Sequence, residues 1–171
     1  MRPEGQTEVV VRRAGAADVR ALSNLIKQFA VESGESPHSV SGEATLAKAL
    51  AHLTVFIAYS DGEPTGYSLG MESLGGRGSA TPEIPGYYLG DLFIAKAWRQ
   101  LGLGRALLSA ILQTNTSWGP TRFLRWEMST RPEHATTRAF YDALLPARRV
   151  RVPRLRGASA RPAAAQRRIE L

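Results

Sequence analysis

No cysteine occurs among the 171 residues, so disulfides and thiolate-bound metals are excluded. Only three histidines are present, His38, His52 and His134, too scattered for a metal triad, and no metal is expected. No apolar run reaches the roughly 18 residues of a membrane-spanning helix. The N-terminus, MRPEGQTEVV, has no signal-peptide core, so the expectation is a soluble cytoplasmic protein without membrane contact. Excess charge is also missing from most of the chain. Residues 1–146 hold 14 Lys+Arg and 14 Asp+Glu, whereas residues 147–171 hold eight Arg, no Lys and one acid. The whole net charge of +7 therefore lies in the tail. A charge-balanced body offers no footprint for nucleic acid, and an anionic partner is expected only through the tail.

What remains is room for one domain. The length suffices to bury roughly two thirds of the unfolded surface. The reading divides the chain into a flexible N-terminus (1–8), a folded domain (9–146) and an Arg/Ala/Pro-rich basic tail (147–171). The tail reads as a solvated end or as an anion-binding arm, with RVRV at 149–152 its one strand-like stretch.

Residues 8–13 (EVVVRR) read as a first strand. Asp18 then caps a helix with Val19, Leu22, Ile26 and Phe29 at helical spacing. Ser41 to Leu53 forms a second helix. Thr54 to Tyr59 and Thr65 to Met71 make a hairpin about Asp61-Gly62. A long Gly/Pro-rich connection leads to the central strand YYLGDLFIA at 87–95. Then come a helix from Leu103, a strand at 122–128 and a helix opened by Thr130 and Pro132, with Ala139, Phe140, Ala143 and Leu144 on its buried side. The order β-α-α-β-β-β-α-β-α suits a mixed sheet.

The informative feature is the junction of the central strand with its helix. Arg99-Gln100-Leu101-Gly102-Leu103-Gly104 stands between them, and Leu103, Ala106, Leu107, Ala110 and Ile111 keep helical spacing. Free N–H groups, the helix dipole and close backbone approach at glycine together favour an anion there. Neither glycine is followed by Lys-Ser or Lys-Thr, which rules out a nucleotide P-loop. Leu107 stands where the dinucleotide fingerprint needs its third glycine. Alone, R-x-x-G-x-G serves a helix-opening turn as well as a phosphate cradle.

In context, LGDLFIAKAWRQLGLGRALL resembles the strand-loop-helix core of the GCN5-related N-acetyltransferases (GNAT superfamily), and the resemblance extends over about residues 9–145. It implies an α/β fold, a mixed and mostly antiparallel central sheet flanked by about four helices. It further implies acetyl-CoA as cosubstrate, with Leu92, Phe93 and Ile94 on the pantetheine arm. The pyrophosphate would lie on the backbone of Gln100, Leu101, Gly102, Leu103, Gly104 and Arg105, with Arg99 or Arg105 adding direct charge.

HATTRAFYDAL is similar to the family's N-x-x-A-x-x-F-Y helix, which makes Tyr141 the proton donor to the leaving thiolate. Phenols, with an ordinary pKa of about 10, carry that proton at neutral pH. His134 stands at the motif's Asn, where it would contact the cofactor arm, and Thr137 at its Ala. The nearest likeness is to the diamine and polyamine acetyltransferases, which place L-E-D-L-F-V at the central strand. Here the stretch reads Leu89-Gly90-Asp91-Leu92-Phe93-Ile94, so one acid of the pair is absent. Asp91 remains to accept the amine proton, to hold a cationic substrate or to serve structure. Glu32 and Glu35, in FAVESGESPHSV, would attract an aminoalkyl acceptor by charge. The implied activity is N-acetylation of a small amine, with a protein amine or an aminoglycoside as alternative acceptors and a non-catalytic acyl-CoA-binding module as the rival reading. The resemblance also implies a homodimer.

Overall fold

The structure, a computed structural model, describes residues 8–75, 84–129, 135–144 and 164–170. Its strands are β1 (Val9–Arg13), β2 (Thr54–Ser60), β3 (Glu63–Gly75), β4 (Ile84–Ile94), β5 (Asn115–Thr116), β6 (Gly119–Pro120), β7 (Phe123–Ser129) and β8 (Ala164–Glu170). Its helices are α1 (Val19–Glu32), α2 (Glu43–Ala49), α3 (Leu103–Leu112) and α4 (Ala135–Leu144). Six strands form one sheet in the order β1-β2-β3-β4-β7-β8, and β5 and β6 form a separate two-stranded ribbon. The β1/β2, β2/β3 and β7/β8 ladders are antiparallel and β4/β7 is parallel, the mixed sheet expected from the element order.

The described residues fall into two compact units. The first takes in residues up to Met71 together with Asp91–Thr114. Its core gathers Val19, Leu22 and Leu25 of α1, Leu46 of α2, Val55 and Ile57 of β2, Tyr67 of β3 and Phe93 of β4. The odd-numbered strand positions are the ones that meet α1 and α2, as strand alternation requires. Gly66, of opposite parity, lies against β4. A Cβ added there would stand 2.7 Å from the Phe93 carbonyl oxygen and 2.5 Å from Ile94 Cδ1. The second unit comprises Glu72–Gly90 and the residues from Asn115 on. Leu124 and Trp126 of β7 are buried there, and the Tyr141 ring stacks on Trp126 at 5.2 Å and 22°.

Several elements differ from the sequence reading. Asp18 begins α1, but its carboxylate makes no side-chain cap to that helix. It accepts from the Gly15 N–H at 2.9 Å, from Arg12 Nη1 and Nη2 at 2.7 Å each and from the Tyr59 hydroxyl at 2.6 Å. Asp18 thus ties β1, β2 and the entry to α1 together. α2 is shorter than Ser41–Leu53, because the chain closes tighter bonds, Ala51 to Lys48 and His52 to Ala49, before entering β2. On α4, Tyr141 is buried and Phe140 half-buried, while Ala139 and Ala143 are exposed, since the large ring takes the place against β7. Residues 164–170, read as part of a solvated tail, form β8 along β7. His134, Thr130, Pro132 and RVRV at 149–152 lie outside the described residues.

The Arg12 hydrogen bond holds the Asp18 carboxyl well below the usual carboxylate range against the opposing effect of burial. The Gly15 N–H, the Tyr59 hydroxyl and the Arg12 charge act in the same sense as that bond. A carboxyl depressed on folding contributes stability above its unfolded pKa, about 3.9, and loses it as pH falls toward the folded value. Thermal stability should therefore drop as pH falls below about 4. Asp18→Asn should cost about 2–3 kcal/mol at pH 7 and flatten that acid slope, as read by melting curves across pH.

Candidate active site

The first unit carries most of the candidate side chains. β4 runs through Asp91, Leu92, Phe93 and Ile94, and alternation puts Asp91 on the same face as Phe93. Phe93 packs in the core beside Phe29 and Tyr67, with ring centres 5.5 and 6.0 Å away. The parallel register of β4 with β7 covers Tyr87 to Leu89, so Leu92–Ile94 lie beyond it. On the β3 side the Ala95 N–H donates to the Thr65 carbonyl at 2.9 Å, anchoring the end of the strand.

Asp91 is half-buried, and its Oδ2 accepts from the Tyr67 hydroxyl at 3.5 Å. Burial pushes the Asp91 carboxyl above its ordinary value. The Tyr67 hydrogen bond opposes the rise, and the charge of Glu35 adds to it. Burial, and then the charge and hydrogen bond of Asp91, push the Tyr67 hydroxyl up, so it remains a protonated donor.

Beyond β4 the chain makes one 3-10 turn at Lys96–Trp98 and enters the glycine turn. Gln100 and Gly102 both adopt positive φ, +66° and +81°. Gly102 is the N-cap of α3, supplies no side-chain cap, and a Cβ on it would meet nothing within 4 Å. Helical bonding begins with Ala106 N–H to the Gly102 carbonyl at 3.0 Å, which leaves the N–H groups of Leu103, Gly104 and Arg105 ahead of the ladder. The first turn contains no acid and carries Arg105, a cation at the positive end of the helix dipole. Open space, free N–H groups and that cation fit an anion such as a cofactor pyrophosphate. Leu103 turns into the core, whereas Leu101 is exposed.

Two of the expected charges are already engaged. Arg99 Nε donates to the Ile94 carbonyl at 2.8 Å, and Arg99 Nη2 pairs with Glu32 at the end of α1. The guanidinium also lies 5.9 Å from the centre of the Phe93 ring. Arg99 therefore braces β4 and the end of α1. Glu32 is neutralised by that pair, while Glu35 acts on Asp91. Glu35 is exposed, and its N–H donates to the Ala30 carbonyl at 2.8 Å, which folds the loop back on α1.

In the second unit, Tyr141 is buried on α4 between Trp126 and an edge-on Phe140. Sequence reasoning missed Tyr67. It reads as one more aromatic in a hairpin strand, and only the juxtaposition of β3 and β4 brings it to a carboxylate 24 positions away. Among the described residues no group of three or more His, Asp or Glu could hold a metal, and no helix is long and apolar enough to cross a membrane.

Solved structures share this architecture. An aminoglycoside acetyltransferase, HMB0005, from an uncultured soil metagenomic sample is 19% identical, with a TM-score of 0.70 over 90% of this chain and 99% of that one. A second from such a sample, meta-AAC0020 in complex with sisomicin, is also 19% identical, with a TM-score of 0.68 over 89% and 97%. Aminoglycoside N-acetyltransferase AAC(6')-Iy in complex with CoA is 17% identical, with a TM-score of 0.64 over 94% and 99%. At these identities the likeness is one of fold. No curated protein matches the chain in sequence. The sequence profile of the acetyltransferase (GNAT) family matches residues 20–145, most of the chain, and the protein belongs to that family of acetyltransferases, which use acetyl-CoA.

Proposed function

We propose that the protein transfers the acetyl group of acetyl-CoA to a primary amine of a small, multiply cationic acceptor, by direct attack of the amine on the thioester. The observation that carries this reading is the Asp91 carboxylate, half-buried, bonded to Tyr67, subject to the charge of Glu35 and immediately preceding Leu92-Phe93-Ile94 on β4. The thioester supplies an activated acyl carbon, and the chain must supply position and proton handling. The backbone of Leu92–Ile94 would hold the pantetheine arm, and the N–H groups at the start of α3 the pyrophosphate. Asp91, ionised, draws the ammonium group by charge and takes its proton. Tyr141 gives a proton to the departing sulfur.

The acceptor follows from charge. Asp91 and Glu35 are two carboxylates available to cations, and both polyamines and aminoglycosides present several ammonium groups. The sequence resemblance favours a diamine or polyamine, and the three solved structures of similar fold described above are named for aminoglycosides, which supports the alternative. A cytoplasmic setting, with its supply of acetyl-CoA, belongs to the same reading, as does a homodimer, for which β8 at the end of the sheet order offers an edge.

A free-thiol release assay with acetyl-CoA and a panel of spermidine, putrescine, an aminoglycoside and a basic peptide tests the proposal, with CoA binding measured by calorimetry on the same sample. Turnover with one amine class names the acceptor. CoA binding without turnover across the panel would instead mark a non-catalytic module.

A further inference from the structure

We infer that Tyr67 is the positioning residue of the acetyl transfer, its buried hydroxyl holding one oxygen of Asp91 so that the other faces the acceptor amine. This rests on the reading of Asp91 as the group that takes the amine proton.

The argument begins with what a core position needs. Tyr67 is fully buried among Leu22, Leu25, Val55, Ile57 and Phe93, an apolar setting that a phenylalanine ring would fill as well. A phenol there carries an added polar group, costly to bury unless it is bonded. Its partner is Asp91 Oδ2, at 3.5 Å. The ring is fixed by the β2/β3 ladder, where Tyr67 lies opposite Ile57, and by its tilted contact with Phe93 two residues beyond Asp91. A rigid donor thus meets a carboxylate that begins the segment assigned to the pantetheine.

Such a bond acts in two ways. With Oδ2 engaged, Oδ1 is left for the amine, which sets the direction of proton transfer. Oδ1 takes one proton from the ammonium group, leaving a neutral amine. Its nitrogen then bonds to the acyl carbon, the C–S bond breaks with its electron pair leaving on sulfur, which takes the Tyr141 proton, and the nitrogen sheds its remaining excess proton to solvent. Tyr67 keeps its own proton, and no oxidation state changes. The hydroxyl also favours the ionised carboxylate that the step requires. Among the described residues, the groups acting on Asp91 are Tyr67 from β3 and Glu35 from the loop after α1, and they act in opposite senses.

The test compares Tyr67→Phe, Asp91→Asn and the double variant across pH, with one acceptor throughout. Asp91→Asn should lower kcat/KM about 100-fold, in the range of general-base effects, and Tyr67→Phe should lower kcat about 10-fold with the KM for acetyl-CoA unchanged. Loss of the donor makes Asp91 easier to protonate, so the acid limb of the Tyr67→Phe profile should move to higher pH. The double variant should be no worse than Asp91→Asn alone. An unchanged acid limb and kcat in Tyr67→Phe, with Asp91→Asn impaired, overturns the role of Tyr67. Full activity in Asp91→Asn overturns the underlying reading of the base, and Tyr67 with it. Should Tyr67→Phe fail to fold, fluorine NMR of the 3-fluorotyrosine-labelled enzyme decides: one tyrosine resonance must titrate with the acid limb and cease to do so in Asp91→Asn, and a spectrum without such a resonance overturns the proposal.

Discussion

Tyr141→Phe should lower kcat about 100-fold while leaving CoA affinity unchanged, because a general acid acts on the departing sulfur in the transition state and contributes little to ground-state binding. The substitution removes one oxygen and keeps the ring that stacks on Trp126 at 5.2 Å, so the packing of α4 against β7 should survive. That combination makes the variant diagnostic. Stopped-flow thiol release and calorimetry with CoA are the two readouts. An undiminished rate would reduce Tyr141 to a packing residue of α4 and leave the leaving sulfur to be protonated by water. A parallel loss of CoA affinity would indicate that the ring or hydroxyl holds the cosubstrate rather than completing the chemistry.

Gly66→Ala should lower stability and cosubstrate binding together. The added Cβ would lie 2.7 Å from the Phe93 carbonyl oxygen and 3.3 Å from Ile94 Cα. The Ile94 side chain can rotate away, but the main chain of β4 cannot yield without shifting. A cost of about 2 kcal/mol in stability is expected, within the range for overpacking. The displaced segment is the one assigned to the pantetheine, so the Kd for CoA should also rise about tenfold, equivalent to 1.4 kcal/mol. Denaturant melts and calorimetry check the pair of effects. Lost stability with unaltered CoA binding would argue that Leu92–Ile94 do not contact the cosubstrate.

The frame of the candidate site was legible where it follows sequence spacing and illegible where it follows strand pairing. Gly102 and the apolar rhythm from Leu103 to Ile111 announce a turn at the head of a helix, and the structure has it there. The hairpin about Asp61-Gly62 is likewise written in its turn residues, both at positive φ. By contrast, β8 carries AAQRRIE, a stretch with little strand propensity, and it forms by main-chain pairing to β7. The engagement of Arg99 with Glu32, 67 positions apart, depends on where α1 ends relative to the turn. Spacing could not foresee that one of the two loop acids is neutralised. Asp18 shows the same limit at closer range: a helix-capping residue by position, it is taken instead by Arg12 and Tyr59.

The turn from Gln100 to Arg105 offers a ligand its peptide groups, while Leu103 points inward and Leu101 outward. Recognition of that kind is stored in chain shape and is largely indifferent to side-chain identity. An alanine scan of the turn should therefore pass almost silently over Leu101, register modestly at Arg105 through its charge alone, and register most at Gly102, whose φ of +81° a side chain resists. Gln100, at φ +66°, should respond in the opposite sense, gaining stability when replaced by glycine. Related chains could thus diverge widely in the letters of this turn while binding the same cosubstrate, provided the two left-handed positions persist.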